Sequence, residues 1–188
     1  LEDVLNRAVE QTKQIILEKN VTTENIDETA HDVGVGAVVF NELSNYRIKD
    51  YVFSWDKVLN FEGETGPYVQ YTHARACSIL RRAGEDTVKA AKKGFDTSWI
   101  TGESAHHLIK LLYALPEVIK EAGEKYEPSI VTRHIVDIAQ GFNKFYHDEH
   151  ILVEDEKEKT AKVALVLAVQ TAIKNGLGLL GMKAPEKM

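Results

Sequence analysis

The sequence predicts a mainly α-helical protein, a helical bundle preceded by a small connecting segment of helical or mixed structure. Apolar side chains recur every three or four residues along most of the chain, which is the period of one face of an α-helix. Capping residues, prolines and glycines divide the pattern into segments with short links, as in antiparallel bundles. Hydrophobic residues make up 44% of the 188 residues, enough to build a core.

The connecting segment is predicted to cover residues 1–60. Apolar residues near helical spacing predict an amphipathic helix over residues 1–19. The run Thr-Thr-Glu-Asn at residues 22–25 offers caps for a short second helix.

Two further stretches of this segment are less clear in their pattern. The apolar run 34–40 is compatible with a strand or a helix, and we favour a helix because Asp32 can cap it and residues 42–43 continue its pattern. Alternation in residues 47–55 predicts a short strand or an extended segment. Asp56 can then cap a brief helix that ends near residue 59.

From residue 61 the chain is predicted to form a bundle of helices. A turn at residues 63–66 leads into a helix from Thr65 to about Ala83, with Pro67 in its first turn, where proline costs no hydrogen bond. Gly84 ends this helix, and residues 89–93 predict one further turn.

The next helices are predicted around two prolines. Residues 103–115 form a helix that ends before Pro116, and residues 117–125 form a second short one. After Pro128, apolar residues at positions 131, 135, 138, 142 and 145 define an apolar stripe over about four turns.

The last helix is predicted to be long and capped by Thr160. Apolar residues follow one face as far as position 180, and Gly181 ends the helix. The charged residues 154–159 before it predict a solvated loop.

Charge is unevenly distributed along the chain. The net charge is −6, which by itself argues against a nucleic-acid-binding protein. Residues 65–93, however, carry six basic side chains and two acidic ones, a net charge of +4. This basic block coincides with the helix that begins at Thr65, so the sequence places positive charge on one element.

The helix from Thr65 presents an aromatic and basic face. Tyr68, Tyr71 and Arg75 lie at i, i+3 and i+7, which places them on the same side. Two aromatic rings and a guanidinium suit stacking on nucleobases and pairing with phosphate. The tyrosines could equally be core residues of the bundle, with their hydroxyls satisfied inside the protein.

The sequence contains no recognisable catalytic set. It lacks a Walker or Rossmann glycine loop and a nucleophile elbow. His147 and His150 lie at i and i+3, but a metal site needs further ligands, so we predict none. Cys77 is the only cysteine, so no internal disulfide can form, which fits a reducing compartment and an expected cytoplasmic location. Its side chain is expected in the core. No apolar run reaches the roughly 20 residues that cross a bilayer.

Three stretches of the sequence resemble arginyl-tRNA synthetases, which are class I enzymes. Residues 53–82, with the run Thr-Gly-Pro-Tyr-Val-Gln-Tyr at 65–71 and His-Ala-Arg at 73–75, resemble the join into the anticodon-binding domain of that family. Residues 142–147 resemble its aromatic helix segment, and residues 177–188 resemble its C-terminus. The resemblance covers essentially the whole chain.

This resemblance implies the functional division of the chain. Residues 1–60 correspond to the segment that follows the catalytic fold, and residues 61–188 to a DALR-type anticodon-binding domain. The implied ligand is the arginine tRNA, held at the anticodon loop. The implied contact residues are Tyr68, Gln70, Tyr71, Arg75, Tyr146 and Met188.

The resemblance also implies that the chemistry belongs to a larger parent enzyme. The ATP-binding His-x-Gly-His motif and the Lys-Met-Ser-Lys loop of class I synthetases are absent from these residues. ATP, with magnesium, is therefore expected in the catalytic domain of an arginine–tRNA ligase, and no cofactor is expected in this fragment. We expect a monomer.

Two other functions are compatible with the residues. A helical protein-interaction module without an RNA role would also have apolar helix faces and acidic ends. A DALR-type domain from a synthetase for another amino acid would share the same motifs. Binding measurements with different tRNA species distinguish these three hypotheses.

Overall fold

The computed structural model describes residues 1–18 and 25–188, and all regular structure in them is helical. The elements are α1 (Glu2–Glu18), α2 (Ile26–Ser44), α3 (Trp55–Val58), α4 (Gly66–Ala83), α5 (Glu85–Lys93), a short 3₁₀ helix (Thr97–Trp99), α6 (Glu103–Lys125), α7 (Ser129–Asp148) and α8 (Glu156–Leu179). The predicted mainly α fold is confirmed. The predicted helical residue Lys19 and the possible caps Thr22, Thr23 and Glu24 lie outside the described residues.

Helix α2 corrects the prediction of two separate helices in the connecting segment. Asn25 caps it, since its side-chain oxygen accepts a hydrogen bond of 3.2 Å from the backbone N–H of Glu28. The helix then continues without a break through residues 34–40, so Asp32 is an internal residue and not a cap. Helix α2 packs against α1, α4 and α7, and this burial explains why the apolar run is helical.

Helices α1 and α2 pack closely against each other. A Cβ atom built on Gly34 would lie 2.8 Å from the backbone of Ala8 and Val9, so only glycine permits this approach. A small core of Ala8, Ala37 and Val38, with Val58 and Leu59, seals the contact. Helix α2 also packs against α4 and α7. The predicted division of the chain into residues 1–60 and 61–188 stays a prediction.

Residues 45–54 form turns and extended backbone, not a strand. A strand needs a neighbour to pair with, and the described part of the chain offers none. Phe53 and Trp55 instead meet edge to face, with ring centroids 4.9 Å apart, and pack against the small core. Helix α3 begins after Ser54, two residues before the predicted cap Asp56.

Helix α4 agrees with its predicted bounds. The Thr65 hydroxyl accepts a hydrogen bond of 3.2 Å from the backbone N–H of Tyr68, and Pro67 lies in the first turn. Gly84 ends the helix with a φ of +85°, a value that glycine adopts without strain. Helix α5 starts at once at Glu85, four residues before the predicted turn.

Helix α6 contradicts the predicted break at Pro116. The helix runs from Glu103 to Lys125 with the proline inside it. Proline removes one backbone hydrogen bond and crowds the preceding turn, yet its φ near −65° is compatible with a helix. Leu108 and Ala122 are buried in the main core on either side of Pro116, so packing of both halves offsets the local cost.

Helix α8 also starts earlier than predicted. The Asp155 carboxylate accepts hydrogen bonds of 2.9 and 3.0 Å from the backbone N–H groups of Lys157 and Glu158. Thr160, the predicted cap, instead donates to the carbonyl oxygen of Glu156 from within the helix. The predicted loop over residues 154–159 is therefore mostly the first turn of α8.

The main core lies where α4, α7 and α8 meet. The predicted stripe of α7 is confirmed, since all of its members are buried. They are Val131, Ile135, Ile138, Phe142 and Phe145. Ile173 and Leu177 of α8 are fully buried against this core, and Cys77 of α4 is buried as well. None of the helices in the described ranges is both long and apolar enough to span a membrane.

Candidate nucleic-acid interface

A pocket of about 440 Å³ lies beside the first turns of α4. Its walls come from α1, the loop before α4, the α4 face predicted from sequence, α7 and the end of the chain. The lining residues are Ile15, Ile16, Phe61, Glu62, Tyr68, Tyr71, Arg75, Asn143 and Met188. The structure thus brings together four of the six predicted contact residues, namely Tyr68, Tyr71, Arg75 and Met188.

The guanidinium of Arg75 lies between two tyrosine rings at this pocket. Its Cζ atom is 4.9 Å from the ring centroid of Tyr71 and 5.7 Å from that of Tyr146. Both distances fall within the range of cation–π attraction. Tyr71 and Tyr146 are 38% and 41% exposed, so each ring keeps surface available for a ligand. Tyr146 also stacks on buried Phe142, which holds the ring in place.

Asn143 of α7 connects Arg75 and Tyr68, two of the polar side chains of the pocket. Its side-chain oxygen accepts a hydrogen bond from Nη1 of Arg75. Its side-chain nitrogen donates to the hydroxyl of Tyr68 across 2.8 Å and to the hydroxyl of Thr72 across 3.2 Å. One residue of α7 therefore orders three side chains of α4.

The last residues of the chain run along α4 and are held by its side chains. Nε2 of Gln70 donates to the carbonyl oxygen of Lys183 at 2.9 Å. Nδ1 of His73 and the carbonyl oxygen of Pro185 are 2.9 Å apart, and Nη1 of Arg81 donates to the carbonyl of Glu186 at 3.1 Å. These three contacts bring Met188 to the wall of the pocket.

Gln70 is the predicted contact residue that the structure places elsewhere. It is fully buried, and its amide also donates to the carbonyl oxygen of Asp32 at 3.1 Å. Two residues along a helix turn the side chain by about 200°, so Gln70 lies opposite the pocket face that Tyr68 occupies. Its role here is to join α4, α2 and the end of the chain, and we leave it out of the proposed contact surface.

The tautomer of His73 in its neutral form follows from its neighbours. A carbonyl oxygen only accepts, so Nδ1 carries the proton that bonds Pro185. Nε2 then accepts from the amide nitrogen of Gln170 at 3.1 Å. Burial lowers the pKa of His73, although the bond to Pro185 opposes this effect. Burial likewise raises the pKa of the neighbouring Cys77 thiol.

Several pocket residues could not be predicted from local patterns in the sequence. Ile15 and Ile16 belong to α1, more than fifty residues from Tyr68, and only the packing of α1 brings them to the pocket. Asn143 lies within residues 142–147, a segment that stands out in the sequence for its aromatic rings. The hydrogen bonds of its amide arise only from the packing of α7 against α4.

The surface beyond the pocket remains basic along α4. Arg82 follows Arg75 by seven residues, or two helical turns, and therefore extends the same face. It is exposed, as are Lys92 and Lys93 at the end of α5. Within the described ranges no group of three or more His, Cys, Asp or Glu side chains could hold a metal ion.

Two known families match different parts of the chain. Residues 69–188 match the family described as the DALR anticodon binding domain. Residues 1–55 match the family described as the class I (R) tRNA synthetase catalytic domain.

The chain is also similar to proteins of known name and to solved structures. It is 55% identical to the arginine–tRNA ligase of Halothermothrix orenii and 52% identical to that of Clostridioides difficile, over all 188 residues and 32% of each relative. The Thermus thermophilus arginyl-tRNA synthetase structure superimposes with a TM-score of 0.91 at 34% identity, over the whole chain and 32% of that structure. The Plasmodium falciparum arginyl-tRNA synthetase, at 24% identity and a TM-score of 0.86, shares the fold over the whole chain and 33% of its own length. The chain spans about a third of the length of these curated relatives.

Proposed function

We propose, from the premise that the chain belongs to the family of DALR anticodon-binding domains, that its pocket binds the anticodon loop of an arginine tRNA. The observation that carries this proposal is the position of Arg75 between Tyr71 and Tyr146 at the pocket. Half-exposed rings beside a fixed guanidinium suit a single-stranded nucleic acid, which offers stacking faces and phosphates together.

Residues that line the pocket, and Tyr146 beside Arg75 at its edge, have separate roles in this proposal. Tyr71 and Tyr146 offer ring faces on which unpaired bases stack, a contact of roughly 1–3 kcal/mol for each base. Arg75 contributes positive charge and N–H donors, and Tyr68 contributes a hydroxyl. Met188, together with Ile15, supplies the apolar surface that a base edge needs beside its hydrogen bonds.

The binding activity is proposed to serve an arginine–tRNA ligase of which this chain is a part. Holding the anticodon loop would orient the acceptor end of the tRNA toward a catalytic domain, where arginine is attached at the expense of ATP, with magnesium. The 55% and 52% identity of the chain to a third of two arginine–tRNA ligases supports this assignment. No step of that reaction is assigned to residues of this chain.

Titration of an arginine tRNA against single variants tests the proposed contact surface. Tyr71→Ala and Arg75→Ala should each weaken binding about tenfold, because each removes a stacking face or a charge-assisted contact. Tyr113→Ala is the matched control, since Tyr113 is 87% exposed on α6 and does not line the pocket. Unchanged affinity of both pocket variants would contradict the assignment of this surface.

Two further measurements separate the competing functions. If phosphates are bound, the logarithm of the affinity should fall linearly with the logarithm of salt concentration, with a smaller slope for Arg75→Ala. A domain from a synthetase for another amino acid would prefer a different tRNA species. A protein-interaction module would bind none of them.

We also propose that the protein is cytoplasmic and monomeric. The lone, buried Cys77 suits a reducing compartment. Sedimentation equilibrium at micromolar concentration tests the oligomeric state, and a mass of about twice 21.1 kDa would overturn the monomer.

A further inference from the structure

We propose that Asn143 is a positioning residue that fixes the direction of the Tyr68 hydroxyl, so that Tyr68 and Arg75 on the α4 wall of the pocket both offer hydrogen-bond donors to its ligand. This inference rests on the proposed function and deepens it. The matching ligand is an unpaired nucleobase that presents acceptor atoms, namely carbonyl oxygens or unprotonated ring nitrogens.

The orientation of the Asn143 amide follows from its partners. A guanidinium has N–H donors and no acceptor, so the atom of Asn143 that faces Arg75 is the oxygen. The amide nitrogen must then face Tyr68 and Thr72, at 2.8 and 3.2 Å. Both N–H groups of the amide are used, one on each hydroxyl.

The hydroxyl of Thr72 confirms this direction of hydrogen bonding. It donates its own proton to the backbone carbonyl oxygen of Tyr68 at 2.9 Å. It can therefore only accept from Asn143, and no alternative direction leaves every bond satisfied. The amide of Asn143 is thus fixed from two sides, by Arg75 and by Thr72.

The Tyr68 hydroxyl is consequently polarised toward the pocket. Its oxygen accepts from Asn143, and within residues 1–18 and 25–188 no protein group receives its proton. Because Tyr68 lines the pocket, that proton remains for a ligand. The Tyr68 O–H and the N–H groups of Arg75 are then two sets of donors on the α4 wall of the pocket, beside the Tyr71 ring.

The donors of Tyr68 and Arg75 favour a ligand that presents hydrogen-bond acceptors to them. A base edge with carbonyl or ring-nitrogen acceptors satisfies them, whereas an amino group in the same place leaves two buried donors facing each other. Ile15, Ile16 and Met188 make the rest of the pocket apolar, and Glu62 adds a carboxylate. These neighbours suit a flat, uncharged base better than a phosphate.

The substitution Asn143→Asp reverses the proposed polarity with little change in shape. A carboxylate keeps the acceptor for Arg75 but cannot donate to Tyr68. The tyrosine hydroxyl would instead donate to the carboxylate and turn its lone pairs toward the pocket. A base acceptor would then meet an acceptor.

A double-mutant cycle on arginine tRNA binding tests this reversal. Tyr68→Phe should weaken binding about fivefold in the unaltered chain, the value of one lost hydrogen bond. In the Asn143→Asp background, the same change should have no effect or should strengthen binding. The added negative charge is common to both members of the second comparison, so it cancels. A purely structural role for Asn143 would give equal losses in both backgrounds, and that result would overturn the inference.

Controls separate this inference from the proposed function. Asn6→Asp adds the same charge on the exposed part of α1 and should leave the Tyr68→Phe effect at about fivefold. Thermal unfolding midpoints of all four proteins should agree within a few degrees, because Asn143→Asp keeps the bond to Arg75. Normal tRNA binding by Tyr71→Ala and Arg75→Ala would overturn the proposed function. If Tyr71→Ala binds tRNA more weakly, but Tyr68→Phe loses the same affinity in both backgrounds, only the role of Asn143 is overturned.

Discussion

The imidazole of His73 donates from Nδ1 to the carbonyl oxygen of Pro185, 2.9 Å away, and so fastens the end of the chain to the middle of α4. The opposite ring nitrogen is occupied by the amide of Gln170. A proton added at Nε2 would break that second bond and place a charge in a fully buried position. The bond to Gln170 therefore depends on the neutral form of His73, whereas the bond to Pro185 does not.

The first prediction concerns pH and stability. Because burial lowers the pKa of His73 in the folded protein, the unfolded chain binds a proton more readily than the folded one. The stabilising contribution of neutral His73 is fully present above the unfolded pKa of about 6.5 and is lost as pH falls through the folded pKa. Urea denaturation at several pH values between 8 and 5 should show the free energy of unfolding decrease toward acid.

The substitution His73→Asn isolates this contribution, since asparagine can still donate to Pro185 but does not titrate. Its free energy of unfolding should be lower at neutral pH, and the difference from the unaltered protein should shrink as the solution becomes acidic. A difference that stays constant from pH 8 to 5 would contradict a lowered pKa for His73.

The second prediction concerns the chemistry of Arg75. The substitution Arg75→Lys keeps the positive charge but loses the planar group between Tyr71 and Tyr146 and the bond to Asn143. Affinity for the arginine tRNA should fall by about 1 kcal/mol, whereas the salt dependence should stay close to that of the unaltered protein. A lysine variant that binds like the original would mean that charge alone is used.

The third prediction concerns a buried lysine that does not line the pocket. Lys162 is 7% exposed and lies 2.8 Å from a carboxylate oxygen of Glu158 and 3.2 Å from one of Glu149. Burial alone would lower its pKa, but the two carboxylates outweigh burial and raise it. Lys162→Met should cost about 3 kcal/mol of unfolding free energy, because it leaves Glu149 partly buried without its cation.

Lys89→Met is the matched control for Lys162. Lys89 forms an ion pair of similar length with Glu85 on α5, but both side chains are exposed. Its loss should change stability by less than about 0.5 kcal/mol. Similar costs for the two substitutions in urea denaturation would show that burial of the pair has no special effect.

The fourth prediction links helix packing to binding. A methyl group at Gly34 would lie 2.8 Å from the backbone of α1, so Gly34→Ala must push α1 away from α2. We expect a loss of about 1–3 kcal/mol in stability. We also expect weaker tRNA binding, because Ile15 and Ile16 on α1 form a wall of the pocket.

Gly123→Ala provides the comparison. No atom beyond its own helix lies within 4 Å of a Cβ at Gly123, so alanine should stabilise α6 by about 0.5–1 kcal/mol and leave tRNA affinity unchanged. Paired thermal unfolding and tRNA titration of the two variants check both effects. Full binding by a destabilised Gly34→Ala protein would separate the pocket from the packing of α1.

Local signals in the sequence were sufficient for most helices. Thr65, Pro67 and Gly84 define α4 because a cap, a first-turn proline and a glycine each act through neighbouring backbone atoms. The misplaced boundaries have physical reasons. At Pro116, tertiary packing of both halves of α6 outweighs one lost hydrogen bond, and at α8 the carboxylate of Asp155 caps before Thr160 can.

The pocket was predictable only in part. Helical spacing alone put Tyr68, Tyr71 and Arg75 on one face, and the structure keeps them there. The same geometry should have excluded Gln70, since a residue two positions away points to the opposite side of the helix. The α1 wall and Asn143 depend on contacts between distant segments, which no local pattern encodes.

The three side chains of α4 that hold the end of the chain all bind main-chain carbonyl oxygens, of Lys183, Pro185 and Glu186. Every residue type carries such an oxygen, so the attachment does not read the side chains at those positions. Substitutions of the exposed residues Lys183 and Glu186 should therefore leave these hydrogen bonds in place. Substitutions of their partners on α4 should remove them. The terminal segment can thus change its surface charge over evolution without releasing Met188 from the pocket.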